Sequence, residues 1–124
     1  MTTASPQPRP TDIKVRTQSR LLAVHFDDGA AFELPFEYLR VFSPSAEVTG
    51  HRGGEGILQT GKEGVGISAI EPVGNYALRL VFDDGHDTGL YSWRLLYELG
   101  RNQAVNWRRY LERCAQAGHA RRTE

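Results

Sequence analysis

Apolar positions mark most of the elements before any count is taken. From Asp12 they alternate with polar ones at Ile13 and Val15, and after Ser19-Arg20 the side chains Leu22, Val24 and Phe26 share one face. A period of two is that of a strand. Asp28-Gly29 then signals a hairpin, because glycine enters positive φ at little steric cost, and Phe32 and Leu34 continue the returning strand. Pro35 opens a short helix over 36–41, which Ser43-Pro44 stops. Residues 44–66 read as a long connection that holds seven of the thirteen glycines. Structure resumes near Val65 and Ile67, with a turn at Pro72-Val73-Gly74-Asn75. Tyr76, Leu78, Leu80 and Phe82 then line one strand face, and Ala77, Arg79 and Val81 the other. Asp84-Gly85 turns the chain again, and Leu90-Tyr91 closes a short strand. Ser92 is placed to cap a helix from Trp93 to Leu99, with Gly100 where a C-terminal cap belongs. A last helix over 103–117 sets Trp107, Leu111 and Cys114 on one stripe, and Arg108 and Glu112 at pairing distance on its surface.

The pattern predicts an α+β fold: a small antiparallel β-rich domain built from hairpins, with two C-terminal helices packed on it. The expected core comprises Leu22, Val24, Phe26, Leu78, Leu80, Phe82, Leu90, Trp93, Leu96, Trp107 and Leu111. Two stretches resemble each other, Leu22-Ala-Val-His-Phe-Asp-Asp-Gly29 and Leu78-Arg-Leu-Val-Phe-Asp-Asp-Gly85. Each leads through a second strand to an aromatic-x-x-Leu helix start, Phe36…Leu39 and Trp93…Leu96. Shared hairpin chemistry and duplication explain this equally well.

Composition narrows the class. With 124 residues the chain is one domain with a modest core: a proline-bearing disordered lead-in over 1–11, the domain over 12–117 and a basic tail over 118–124. One cysteine excludes a disulfide scaffold and a self-contained cysteine zinc site. No apolar run approaches the ~20 residues of a membrane span, and the opening MTTASPQPRP lacks the apolar stretch of a signal peptide. The expected location is the cytoplasm, with no membrane partner. The net charge of zero hides an uneven distribution. Residues 1–20 carry four bases and one acid, residues 21–93 four bases and eleven acids, and residues 94–124 seven arginines and three glutamates. A pI of 6.9 argues against a nucleic-acid binder, which wants a strongly basic domain.

Few motifs carry chemistry. Gly56-Ile-Leu-Gln-Thr-Gly61-Lys62-Glu63 places a carboxylate where a phosphate-binding loop needs Ser or Thr. Gly64-Val-Gly66-Ile-Ser-Ala69 runs into a strand, so no helix N-terminus awaits a phosphate. His25-Phe-Asp27 has the letters of half an iron triad, yet Asp27 opens a turn and His25 lies on the outer strand face. Cys114 sits on an apolar stripe, where it packs as a small hydrophobe. The best cluster is Asp83, Asp84, His86 and Asp87, with His51 in the long loop. Imidazole plus carboxylates suits iron or zinc.

The strings Leu39-Arg-Val-Phe-Ser-Pro-Ser-Ala-Glu47-Val-Thr-Gly-His51 and Ile70-Glu-Pro-Val-Gly-Asn-Tyr76 onward through Asp-Asp-Gly-His86-Asp-Thr-Gly-Leu-Tyr91-Ser-Trp93 resemble the DUF971 family, also described as the gamma-butyrobetaine hydroxylase-like N-terminal domain. The resemblance covers roughly residues 12–113. It implies small stand-alone bacterial proteins, or a domain beside dioxygenases and iron–sulfur carrier ATPases. In the dioxygenases the domain holds structural zinc through three cysteines and a histidine. Here the histidine falls on His86 and the cysteine stretch on Ser43-Pro-Ser45-Ala-Glu47, which has no thiol. Hydroxyls are poor zinc ligands beside thiolates, so that zinc site is not expected, and the length leaves no room for an oxygenase domain.

The leading expectation is a non-catalytic accessory or interaction domain with protein partners and no catalytic residue. Its surface is expected in the 43–64 loop and the acidic 83–87 turn, with Ser43, Ser45, Glu47, Tyr91 and Trp93. The alternative is an iron- or zinc-binding, or iron–sulfur-related, accessory protein using His86, His51, Asp83, Asp84 and Asp87. Oligomeric state is left open.

Overall fold

The computed structural model describes residues 8–45 and 58–118. Its first three strands are β1 (Pro10–Arg16), β2 (Leu21–Phe26) and β3 (Ala31–Pro35), followed by helix α1 (Phe36–Val41). The next three are β4 (Ile67–Val73), β5 (Ala77–Phe82) and β6 (Leu90–Ser92), followed by α2 (Trp93–Arg101) and α3 (Gln103–Gln116). Each trio forms an antiparallel sheet in chain order. The α+β architecture read from the pattern is therefore the one found, with the helices packed on two small sheets. β1 starts at Pro10, inside the expected lead-in.

The kinship of the two Asp-Asp-Gly stretches runs deeper than their letters. In both units the first strand is irregular near its start, between Pro10 and Asp12 and between Ile67 and Ala69. Asp27 N–H donates to Arg9 O at 2.8 Å, and Asp83 N–H to Gly66 O at 2.9 Å. The helices begin alike, with Phe36 N–H on Arg20 O and Trp93 N–H on Tyr76 O, both at 3.0 Å. Gly29 and Gly85 adopt φ of 92° and 90° at the turns, where a side chain would be strained. In each turn the second aspartate accepts from the amide two residues on, Asp28 Oδ1 from Ala30 N–H at 2.9 Å and Asp84 Oδ1 from His86 N–H at 3.2 Å. The chain is a β-β-β-α unit built twice, with α3 added.

The main core joins both units: Leu22, Val24 and Phe26 meet Leu78, Leu80 and Phe82, closed by Leu34, Leu39, Tyr91 and Leu96. A smaller cluster of Val41, Tyr110 and Cys114 seats α3, with Phe42, Leu58 and Trp107 against it. Ser92 caps α2 as expected, its hydroxyl accepting from Leu95 N–H at 3.0 Å.

Several expected core positions are corrected. Leu90 is 44% exposed, because the short β6 alternates and turns Tyr91 inward instead. Leu111 is 38% exposed; α3 is rolled so that Tyr110 and Cys114, four residues apart, form the buried stripe. Trp93 and Trp107 are half-buried and pack at the core's edge. Tyr76 stands outside β5 and is exposed. Glu112 meets Arg109 at 3.9 Å rather than Arg108. Gly100 lies inside α2, not beyond it: a Cβ there would fall 2.2 Å from Phe32 Cγ. Its role is close approach of helix to sheet.

Candidate functional site

Of the residues that sequence reasoning singled out, Ser43, Ser45, Asp84 and His86 meet between the turn after β5 and the segment leaving α1. α1 is a short, almost wholly buried helix in which Phe36 and Arg40, four residues apart, share a face. That face is buried, so the Arg40 guanidinium is carried into the interior with a side chain only 8% exposed. A buried charge must be paired and hydrogen-bonded. Asp84 supplies the partner, Oδ2 accepting from Arg40 Nε at 2.9 Å and from Lys62 Nζ at 2.8 Å. Arg40 also donates to Gln59 Oε1 at 3.3 Å, and the Gln59 carbonyl accepts from Tyr110 Oη at 2.7 Å. One carboxylate thus fastens α1, the 58–62 segment and the turn together, with α3 reached through Gln59.

Burial alone would raise the Asp84 pKa, but Lys62, the His86 amide and Arg40 outweigh it and hold the carboxyl at about 2. Beside this pair, Ser43 Oγ and the buried His86 Nε2 share a hydrogen bond of 2.8 Å. Ser43 Oγ also accepts from Ser45 N–H at 3.2 Å, and Ser45 Oγ meets Thr88 Oγ1 at 2.6 Å. The approach depends on Gly89, where a Cβ would meet Ser43 Oγ at 2.6 Å. Tyr91 Oη donates to Leu39 O at 2.6 Å, and burial pushes its phenol pKa up.

The remaining carboxylates of the expected metal cluster look elsewhere. Asp83 Oδ1 accepts from Gly66 N–H at 2.9 Å. Asp87 meets Arg79 Nη1 at 3.4 Å, and Arg79 also holds Glu71 Oε1 at 2.6 Å. Among the described residues no group of three or more His, Cys, Asp or Glu side chains is placed to hold a metal. His86 Nε2 is thus taken up by a serine hydroxyl, Asp84 and Asp87 by cations, and Asp83 by a backbone amide. His51 and Glu47 lie outside the described residues.

The expected interaction surface also changes. Ser43, Ser45 and Tyr91 are buried and offer no exposed face. Trp93 is half-buried, its Nε1–H on Asn75 O at 2.6 Å, where it ties α2 to the β4–β5 turn. Sequence reading missed Arg40, Lys62, Gln59 and Thr88. The available signal was Arg40 itself, a cation on the apolar face of a short helix.

The chain resembles known proteins over most of its length. The sequence model described as "Gamma-butyrobetaine hydroxylase-like, N-terminal" matches residues 13–97. Two proteins solved by NMR in solution resemble the chain along nearly its whole length. One is 54% identical, with a TM-score of 0.81, covering 98% of this chain and 90% of its own. The other is 44% identical, with a TM-score of 0.81, covering 96% and 94%. A crystal structure from Acidithiobacillus ferrooxidans, a DUF971-family protein with unknown function, is 37% identical with a TM-score of 0.64, covering 78% of this chain and 98% of its own. No curated protein matches.

Proposed function

The chain belongs to the gamma-butyrobetaine hydroxylase-like N-terminal (DUF971) family, and on that premise we propose that it is a non-catalytic accessory domain that works by contact with a protein partner. The observation that carries this reading is the closure of its polar centre. His86 is bonded to Ser43, Asp84 to Arg40 and Lys62, Ser45 to Thr88, and Tyr91 to a backbone carbonyl. A catalytic site aims its polar groups into a cleft where substrate completes them. Here they complete one another, and the centre acts as a fastener between the two β-β-β-α units and the ends of the long connection. Among the described residues no helix is long and apolar enough to cross a membrane.

Co-purification of the full chain without an affinity tag, at native expression level, tests the reading. One protein retained at near 1:1 stoichiometry, with the released chain free of metal, is the expected result. Stoichiometric iron or zinc on the chain, lost in His86→Ala, would overturn it in favour of a metal-binding protein.

A further inference from the structure

Among the described residues an open surface lies where α3 meets α1 and the end of α2. A groove of ≈ 690 Å³ is lined there by Tyr38, Ala104 and Trp107, with Leu111, Arg101 and Arg108 at its edge. Its size falls in the range of sites that take up side chains or small ligands, about 300–1,000 Å³. Among the described residues lining it there is no acidic side chain. Both arginines are exposed, and Leu111 is turned to solvent at the groove's edge. An aromatic lining with an arginine rim matches the composition of interface centres.

We propose that this groove is the docking site for an acidic, apolar-anchored segment of a partner protein, with Leu or Phe side chains on Trp107 and Leu111 and Glu or Asp side chains against Arg101 and Arg108. The proposal deepens the accessory-domain reading and rests on it. Charge complementarity selects the occupant. The C-terminal region from residue 94 holds seven arginines against three glutamates, whereas residues 21–93 hold eleven acids against four bases. A long polyanion such as nucleic acid would meet that acidic body, but a short acidic segment meets only the local arginines. The chain's own residues 119–124 carry two arginines and one glutamate, the wrong balance for an arginine rim. Leu111 and Trp107, one helical turn apart, match a helical or extended segment with anchors at i and i+3 or i+4.

Fluorescence anisotropy on the full-length chain tests the proposal. The probes are a labelled helix-forming peptide with Leu at i, i+3, i+4 and i+7 and Glu elsewhere, the same peptide with Lys for Glu, and a labelled single-stranded oligonucleotide. Saturable binding of the acidic peptide is expected, weakened at least tenfold in Arg101→Glu/Arg108→Glu and in Leu111→Glu, and weakened by salt. All three altered residues are exposed, and unchanged thermal melting of the variants confirms that the fold persists. No binding of the acidic peptide, equal binding of the lysine peptide, preference for the oligonucleotide, or binding indifferent to the variants each overturns the proposal. So does a concentration-dependent dimer broken by Leu111→Glu, which gives the groove to a second copy of the chain. If a 1:1 partner co-purifies equally with wild type and Leu111→Glu, the accessory reading stands and the groove assignment falls.

Discussion

Arg40 and Tyr97 occupy the same position in two matched helices, each the fifth residue of its helix, and each donates to the turn aspartate of the other unit. Arg40 Nε reaches Asp84 at 2.9 Å, and Tyr97 Oη reaches Asp28 Oδ2 at 2.6 Å. The exchange clasps the two β-β-β-α units reciprocally, but the clasps differ in burial. Arg40 is enclosed, whereas Asp28 is open to water. Loss of one member of a buried ion pair costs about 3–5 kcal/mol. Since Lys62 remains on Asp84, Arg40→Met is expected to cost about 2–4 kcal/mol. Tyr97→Phe leaves a carboxylate that water can solvate and is expected to cost clearly less than Arg40→Met. Urea unfolding of the two variants checks the order, and equal losses would refute the asymmetry.

The clasp makes stability depend on acid. The Asp84 carboxyl is held at about 2 in the folded chain against an ordinary 3.8. A carboxyl lowered by folding stabilises fully above its unfolded pKa and loses that contribution as pH falls through the folded one. The window is therefore about pH 4 down to about pH 2. After discounting for water reaching a partly exposed pair, the amount is about 1 kcal/mol. Asp28 acts in the same direction, lowered first by the Tyr97 hydroxyl and then by the Ala30 amide. Urea midpoints at pH 6 and pH 2.5 should fall more for wild type than for Asp84→Asn. Identical falls would remove Asp84 as the acid-sensitive group.

Gly100 gives a test of helix-to-sheet approach. Alanine would ordinarily favour a helix interior by about 1 kcal/mol over glycine. Here its Cβ would lie 2.2–2.6 Å from Phe32 Cγ, Cδ1 and Cδ2, atoms at the root of a ring that has little room to yield. Gly100→Ala is expected to destabilise by about 1–3 kcal/mol. In a Phe32→Leu background the same change should lose most of that cost. A cycle of the four proteins by thermal or urea unfolding measures the coupling, and additivity would place the role of Gly100 elsewhere.

Gly100 also shows where sequence ran out. Glycine after an apolar helix reads as a cap, because local signals record backbone freedom and say nothing of a ring arriving from residue 32. The strands, both Asp-Gly turns, the Ser92 cap and the double unit were legible because each depends on neighbours within a few residues. The interior of Cys114 was legible too. Leu111 failed because helical spacing marks a stripe without fixing how far the helix rolls, and Tyr110 is the larger anchor. The candidate site was half legible. His86, Asp84 and Ser43 were picked out and do meet, whereas Arg40 and Lys62, which give Asp84 its purpose, come from segments 44 and 22 residues away.

Ser43 carries the last prediction. Its hydroxyl is buried, meets His86 Nε2 at 2.8 Å and accepts the Ser45 amide at 3.2 Å. Ser43→Ala removes both interactions while adding no volume, which leaves a buried ring nitrogen and a buried amide without that oxygen. A lost hydrogen bond costs about 0.5–1.5 kcal/mol, so with two removed Ser43→Ala is expected to lower stability by about 1–3 kcal/mol. His86→Phe in the same background should recover part of it, because the apolar ring needs no partner and Phe82 already lies 6.0 Å from the imidazole. Chemical denaturation of the single and double variants decides the matter. A Ser43→Ala loss below about 0.5 kcal/mol would mean that water replaces the hydroxyl and that the centre is wetter than its burial implies.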